Sequence, residues 1–169
     1  MKKISHLCVG DEEWGKVTNN LEWQENVLGF FERNKNIEKV DFIYGYCTHV
    51  LADIQNNRKI WMPFISANKD ELEKGYGSMY HKEAAAVDHA LYLLHPHKTE
   101  IRYMLENAVG FDIENVVVGN EINKIKDHLL YNQFNDSESE DLSSNKFVTL
   151  SNMQEFIITE ARYIKGTLY

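Results

Sequence analysis

Residues 40–55, VDFIYGYCTHVLADIQ, constrain the fold of this 169-residue chain more than any other stretch. They are apolar on almost every side, which is too apolar for a helix that lies on a protein surface. The stretch therefore predicts a central helix that other elements bury on most sides. Two polar side chains, His49 and Asp53, stand four residues apart in it, and on a helix that spacing places both on one face about one turn apart.

The remaining sequence predicts helices that pack around this central one. The chain has only 2 prolines, and apolar residues recur at helical spacing in five further segments. These segments are 21–34, 78–94, 98–109, 120–132 and 151–165. The pattern predicts a multi-helix, all-α bundle that forms a single domain over residues 1–169.

Three shorter stretches predict connections and a helix start. Residues 59–64, KIWMPF, surround a proline and predict an ordered loop folded against the body. Residues 135–145, NDSESEDLSSN, are typical of a solvated or disordered acidic loop. Ser151, with Gln154 three residues later, predicts a capping box at the start of the last helix.

Charge and cysteine content exclude several protein classes. A formal net charge of −8 without a basic stripe argues against a nucleic-acid binder, which needs cations to neutralise phosphates. No signal peptide, transit peptide or run of about 18 apolar residues is present, so we expect a soluble, cytoplasmic protein. The 2 cysteines form no metal or redox motif, and Cys47 is expected to be a small buried hydrophobe.

The His49–Asp53 pair requires a physical reason if it faces the core. Burying an unpaired polar group costs roughly 2–7 kcal/mol, and burying a charge costs more. Two arrangements remove that cost, namely a hydrogen bond between the two side chains or coordination of a shared cation. A histidine and a carboxylate at i and i+4 on a bundle helix are a known way to build a metal site.

A second group of possible ligands lies on the helix predicted at 78–94. His81, Asp88 and His95 are spaced seven residues apart and share one stripe of that helix. If this stripe faces the central helix, four or five potential ligands converge, with His49 and Asp53 counted among them. Such a mixture suits zinc, and it also suits iron or manganese.

The segment FIYGYCTHVLAD at residues 42–53 resembles the G-Y-x-x-H-x-x-x-D helix of the zinc-dependent phospholipase C family. The resemblance extends more loosely to SHLCVGDEEWG near the start of the chain and to the helix around Glu83 and Asp88. It implies an all-α bundle with a cluster of up to three zinc ions, which activates water to attack a phosphodiester. It also implies that His49 and Asp53 are two ligands of one zinc, and that His6 matches a ligand that precedes the central helix.

The chain departs from the family pattern at several positions. Asp88, with Glu83 or His81, falls where the family has a downstream H-x-x-x-E helix, but Ala85 stands four residues after His81. A further family histidine would fall at Lys59, which cannot bind a metal while it is charged. The resemblance therefore implies one or two zinc ions rather than three.

The function expected from these residues is hydrolysis of a phosphoester by a metal-activated water. His49 and Asp53 would bind the ion, and His6, Asp88 and His81 are the candidates to complete its coordination. A bound ion of this kind lowers the pKa of its water towards about 7. Glu83 is the candidate general base, and the substrate is expected to be a small-molecule or lipid phosphoester.

Two alternatives remain open at this stage. The chain could be a non-catalytic helical binding or interaction protein with a vestigial metal site. It could also be a phosphohydrolase of the histidine–aspartate type, although that group is marked by adjacent His-Asp and this sequence has Asp88-His89 in the reverse order. The sequence leaves the oligomeric state open.

Overall fold

The computed structural model describes residues 10–11, 16–17, 19–110, 112, 118–135, 137 and 141–169. Within them the chain forms seven α-helices and one short antiparallel ladder, in which Gly10 pairs with Val17 and Asp11 with Lys16. The predicted all-α class is confirmed. No helix among the described residues is both long and apolar enough to span a bilayer. The predicted ligand His6 lies outside the described residues.

The helices follow the apolar periodicity of the sequence closely. They are α1 (Asn20–Asn34), α2 (Val40–Asn56), α3 (Met62–Ala67), α4 (Tyr76–Leu94), α5 (Lys98–Asn107), α6 (Gly119–His128) and α7 (Leu150–Leu168). Two π-helical turns, Asn57–Trp61 and Leu129–Gln133, follow α2 and α6, and a 3₁₀-helix covers Lys69–Lys74. Of the acidic loop predicted at 135–145, residues 136 and 138–140 lie outside the described residues.

The contacts divide the chain into two compact units. One comprises Met1–Lys74 with Glu155–Tyr169, and the other comprises Gly75–Gln154. The single domain expected over residues 1–169 stays a prediction.

Helix α2 supplies the largest share of the core of the first unit, as its composition predicts. Burial raises the pKa of the Cys47 thiol to about 11, and Cys47 therefore acts as the small buried hydrophobe expected of it. The buried apolar side chains of this unit come from all four of its helices. They are Trp23, Val27, Phe30 and Phe31 of α1, Ile43, Cys47, Val50, Leu51 and Ile54 of α2, Phe64 and Ile65 of α3, and Ile164 and Leu168 of α7.

The loop predicted for residues 59–64 is wrong, because the chain stays helical through this stretch. Pro63 has no N–H, and in an α-helix its ring would collide with the carbonyl group four residues earlier, at Lys59. The chain meets this constraint by widening the preceding turn, so that the N–H of Met62 donates to the carbonyl of Asn57 five residues back. Pro63 then stands in the first turn of α3, where a missing N–H costs little.

The start of α7 also differs from the prediction. The helix begins at Leu150, so that Ser151 lies inside its first turn and does not cap it. The hydroxyl of Thr149 accepts a hydrogen bond from the N–H of Asn152 at 3.3 Å, which is the bond that an N-cap residue makes. Thr149 and Ser151 are both good N-cap residues by type, so the sequence alone does not choose between them.

In the second unit, α4 contributes the buried residues Tyr80, Glu83, Val87 and Ala90. Gly110 is required where the chain approaches the start of α6, because a Cβ atom there would collide with the carbonyl oxygen of Gly119.

Candidate functional site

His49 and Asp53 lie one turn apart on one face of α2, as the spacing predicts. The His49 Nε2 atom is 3.4 Å from the Asp53 Oδ2 atom. The two side chains are 60% and 40% exposed, so the expectation that they point into the core is wrong. The same side of α2 includes Gly45 and Thr48, which are exposed. Both residues are small and uncharged, so the segment looks apolar in sequence although this side of the helix contacts water.

The separation of the two donor atoms fits a shared metal ion. Zinc binds imidazole nitrogen and carboxylate oxygen at about 2.0–2.2 Å in tetrahedral geometry, which places two such donors about 3.4 Å apart. Partial exposure leaves the other coordination positions open to water or to a substrate. The same pair, with His49 protonated, is also a surface ion pair, which contributes about 0–1 kcal/mol to stability.

His81 and Asp88 belong to the second unit, on α4. The His81 ring lies edge-on to Tyr80, with the two ring centroids 5.6 Å apart. Although Asp88 is exposed by residue area, the surrounding chain desolvates its carboxyl group and raises the pKa. His49, Asp53 and His81 each make interactions beyond these. The convergence of the two helices' ligands on one ion stays a prediction.

Glu83 has a contact set that the sequence did not suggest. The side chain is buried, and its carboxylate accepts the N–H groups of Lys146 at 3.0 Å, Phe147 at 2.7 Å and Val148 at 3.0 Å. Burial alone would raise the pKa of Glu83, but the three backbone donors, with the charge of Lys146, outweigh that effect and lower it. The role of general base stays untested, but a carboxylate with a lowered pKa and three bound N–H groups is poorly suited to accept a proton.

The other described histidines make hydrogen bonds to backbone or side-chain groups. The His89 Nε2 atom donates to the carbonyl oxygen of Asn135 at 3.0 Å, and the His97 N–H donates to the His95 Nδ1 atom at 3.2 Å. His128 is 3.1 Å from the Asn132 amide. These contacts are what satisfied structural or surface histidines make.

Sequence reasoning missed a buried polar cluster in the first unit. Glu160 on α7 is 3% exposed, and its Oε1 atom lies 2.5 Å from the Lys59 Nζ atom. Gln55 on α2 is equally buried. The available signal was that Glu160 occupies the same stripe as the buried Ile164 and Leu168, four and eight residues later.

Among the residues that the structure describes, no three His, Cys, Asp or Glu side chains come close enough together to hold a metal ion. The described site therefore consists of the two candidate ligands His49 and Asp53. Comparisons of this chain with protein-family models, with curated proteins and with solved structures give no match.

Proposed function

We propose that this chain is a divalent-metal-dependent hydrolase of phosphoesters, in which His49 and Asp53 supply two ligands to the ion. The observation that carries the proposal is the 3.4 Å between the His49 Nε2 and Asp53 Oδ2 atoms, which matches two ligands on one tetrahedral ion. Zinc suits this nitrogen and oxygen pair best, and iron or manganese are further candidates. The resemblance of residues 42–53 to the zinc-dependent phospholipase C helix supplies the reaction class.

The exposure of the pair supports a catalytic rather than a structural ion. Structural zinc sites are closed by four protein ligands, whereas catalytic sites keep a position open for water or substrate. When bound, such an ion lowers the pKa of its water towards about 7 and polarises a phosphoryl oxygen. His6 is the proposed third ligand, on sequence grounds alone.

Glu83 is not the general base in the proposed reaction. Its carboxylate oxygens already accept three backbone N–H groups in the second unit, and protonating it would weaken those bonds. A site as open as the His49–Asp53 pair can release the proton of the attacking water directly to solvent.

The second candidate function is a non-catalytic helical binding protein. A specific observation favours it: His97, the N-cap residue of α5, and Glu100 in the first turn of that helix have the same 3.4 Å separation between Nδ1 and Oε2, and both side chains are 68% exposed. An isolated histidine–carboxylate pair at this distance thus also arises in this chain on a surface to which we assign no metal. The same pair provides a matched control for the proposed site.

Metal binding is tested by comparing His49→Ala, Asp53→Ala and the control His97→Ala with the unaltered protein. We expect zinc to raise the melting temperature of the unaltered protein and of His97→Ala, and to leave the other two variants unchanged. A ligand at 100 times its Kd that binds only the native state stabilises it by about 2.7 kcal/mol. Equal zinc content and equal shifts in all four proteins would contradict the assignment of the ion to His49 and Asp53.

Catalysis is tested separately, with the zinc-loaded protein on a generic phosphodiester and on a phosphatidylcholine analogue. We expect turnover of at least one substrate, and a loss of roughly 100-fold or more in His49→Ala, since the ion generates the nucleophile. Zinc bound through His49 and Asp53 without turnover of either substrate would favour the binding protein over the hydrolase.

A further inference from the structure

The second unit contains a cavity of about 270 Å³ that has no part in the proposed hydrolysis. One wall is a stripe of α4 and the other is the segment 141–146, which precedes α7. The four lining residues of α4 stand at i, i+3, i+4 and i+7, so they share one helical face. They are Met79, Lys82, Glu83 and Ala86. The volume is close to the lower end of the range for ligand pockets, which is about 300–1,000 Å³.

Glu83 holds the two walls of this cavity together. Its side chain is 7% exposed, and its carboxylate accepts the N–H groups of residues 146–148. The segment also has internal bonds, because the Asp141 carboxylate accepts the N–H and the hydroxyl group of Ser143, both at 2.9 Å. These bonds fix the second wall before any ligand arrives, which lowers the ordering cost that a ligand would meet.

The cavity offers hydrogen-bond donors rather than acceptors. Its two carboxylates balance its two ammonium groups formally, but Glu83 and Asp141 already use both of their oxygens within the chain. Lys82 and Lys146 are exposed and make no ion pair among the described residues, and in the same part of the chain the Ser144 hydroxyl makes no hydrogen bond. Two ammonium groups and one hydroxyl group, which water solvates in the free protein, are therefore available to a ligand.

These donors select an anion with several acceptor oxygens. A phosphate monoester carries a charge of about −1.5 to −2 at pH 7 and has three strong acceptor oxygens, which matches two ammonium groups and one hydroxyl group. A carboxylate carries a single charge and would leave one ammonium group without a counter-charge. Met79 and Ala86 add an apolar surface to the same cavity, which inorganic phosphate alone would leave in contact with water.

We propose that this cavity binds a small phosphate monoester. Its phosphate group lies on the ammonium groups of Lys82 and Lys146, and its carbon part lies against Met79. Glu83 holds the wall that carries Lys146 and leaves no carboxylate oxygen free to repel the ligand's acceptors at close range. The site is independent of the His49–Asp53 pair, because every lining residue belongs to the second unit.

The test is an NMR titration of the unaltered protein with phenyl phosphate, compared with inorganic phosphate and benzoate. We expect the backbone amide resonances of residues 79–86 and 141–148 to shift progressively with phenyl phosphate, and less at equal concentrations of the other two anions. The shifts locate the ligand along the chain, so phosphate bound near His49 and Asp53 is distinguished from phosphate in the cavity. No shift in these two ranges at about 10 mM phenyl phosphate, ten times a Kd of 1 mM, would overturn the proposal. Equal affinity for benzoate or for inorganic phosphate would overturn it as well.

Three lysine variants add a second readout. Lys82→Met and Lys146→Met keep an apolar stem and remove the charge, and we expect each to raise the Kd of phenyl phosphate about fivefold, the size of a good exposed ion pair. The control is Lys124→Met, which removes an exposed lysine of the same unit that pairs with Glu121 and does not line the cavity. All three side chains are exposed, so we expect the variants to fold. The same Kd in all three variants would contradict the placement of the phosphate.

Discussion

Glu83 in the second unit and Glu160 in the first are buried to nearly the same degree, 7% and 3% exposed, yet their charges are stabilised in different ways. Glu83 accepts three backbone N–H groups, and both of its oxygens are used. Glu160 binds one lysine through one oxygen, and its other oxygen has no partner among the described residues. Fixed backbone dipoles thus satisfy the first carboxylate completely, and a flexible side-chain cation satisfies the second only in part.

The difference indicates what each carboxylate does for its unit. Glu83 joins α4 to residues 146–148 immediately before α7 begins, and it depends on the backbone conformation of that segment. Glu160 joins α7 to the π-helical turn after α2, and it depends on the identity of one side chain, Lys59. A mutation of the partner is therefore possible for Glu160, whereas the partners of Glu83 are backbone groups that no substitution except proline removes.

The largest expected effect is that of Glu83→Ala. Three N–H groups lose a charged acceptor, and each charge-assisted hydrogen bond contributes about 1.5–3 kcal/mol to stability. Water that enters the vacated space would hydrogen-bond to these groups and offset part of that loss. We expect the free energy of unfolding to fall by about 3–5 kcal/mol in urea denaturation. The exposed Glu155→Ala is the control, with a change within about 0.5 kcal/mol. A loss below about 1 kcal/mol for Glu83→Ala would mean that the segment 146–148 is held by other contacts.

Lys59→Met is expected to have the next largest effect, because it leaves the buried charge of Glu160 without its cation. Breaking a buried pair costs about 3–5 kcal/mol, and since Lys59 is half-exposed we expect about 2–3 kcal/mol. The double variant Lys59→Met/Glu160→Leu removes both charges and should recover most of the loss. A double variant that is less stable than Lys59→Met would show that Glu160 contributes beyond its pairing.

A smaller effect is expected in the pH dependence of the free energy of unfolding that Glu83 causes at acid pH. Its pKa is lowered from the ordinary value of 4.5, so its stabilising contribution is fully present above that pH and is lost as the pH falls towards the folded pKa. We expect the stability of the unaltered protein to decline below pH 4.5 more steeply than that of Glu83→Gln. Parallel pH profiles of the two proteins would contradict the lowered pKa.

Thr149→Ala is expected to have the smallest effect. It removes the hydroxyl that accepts the Asn152 N–H and should cost about 1 kcal/mol, as the loss of an N-cap does. The matched variant Ser151→Ala should leave stability within about 0.5 kcal/mol, because Ser151 lies inside the helix. The reverse order of the two effects would restore the capping box predicted at Ser151. Calorimetric melting resolves differences of this size.

The sequence predicted the helices well because their signals are local. Residues 40–55 match α2 within one residue, since the apolar run and the following asparagines are contained in the segment itself. The exposed setting of His49 could not be predicted, because Gly45 and Thr48 on its face are compatible with both core and surface. The contacts of Glu83 could not be predicted either, because its partners are backbone N–H groups about sixty residues away. Every residue except proline has such a group, so the residue types at those positions do not indicate the bond.

The π-helical turn at Asn57–Trp61 connects α2 directly to α3, and it sets the direction in which the side chains of α3 point. A turn closed by a bond from residue 62 to residue 57 holds one more residue than an α-helical turn, so later side chains lag in azimuth. Phe64 and Ile65, which follow the turn, are buried in the core. Deleting one residue from the turn would close it to an α-helical turn, which would keep the azimuth of both side chains but would bring the Pro63 ring against the carbonyl group four residues earlier.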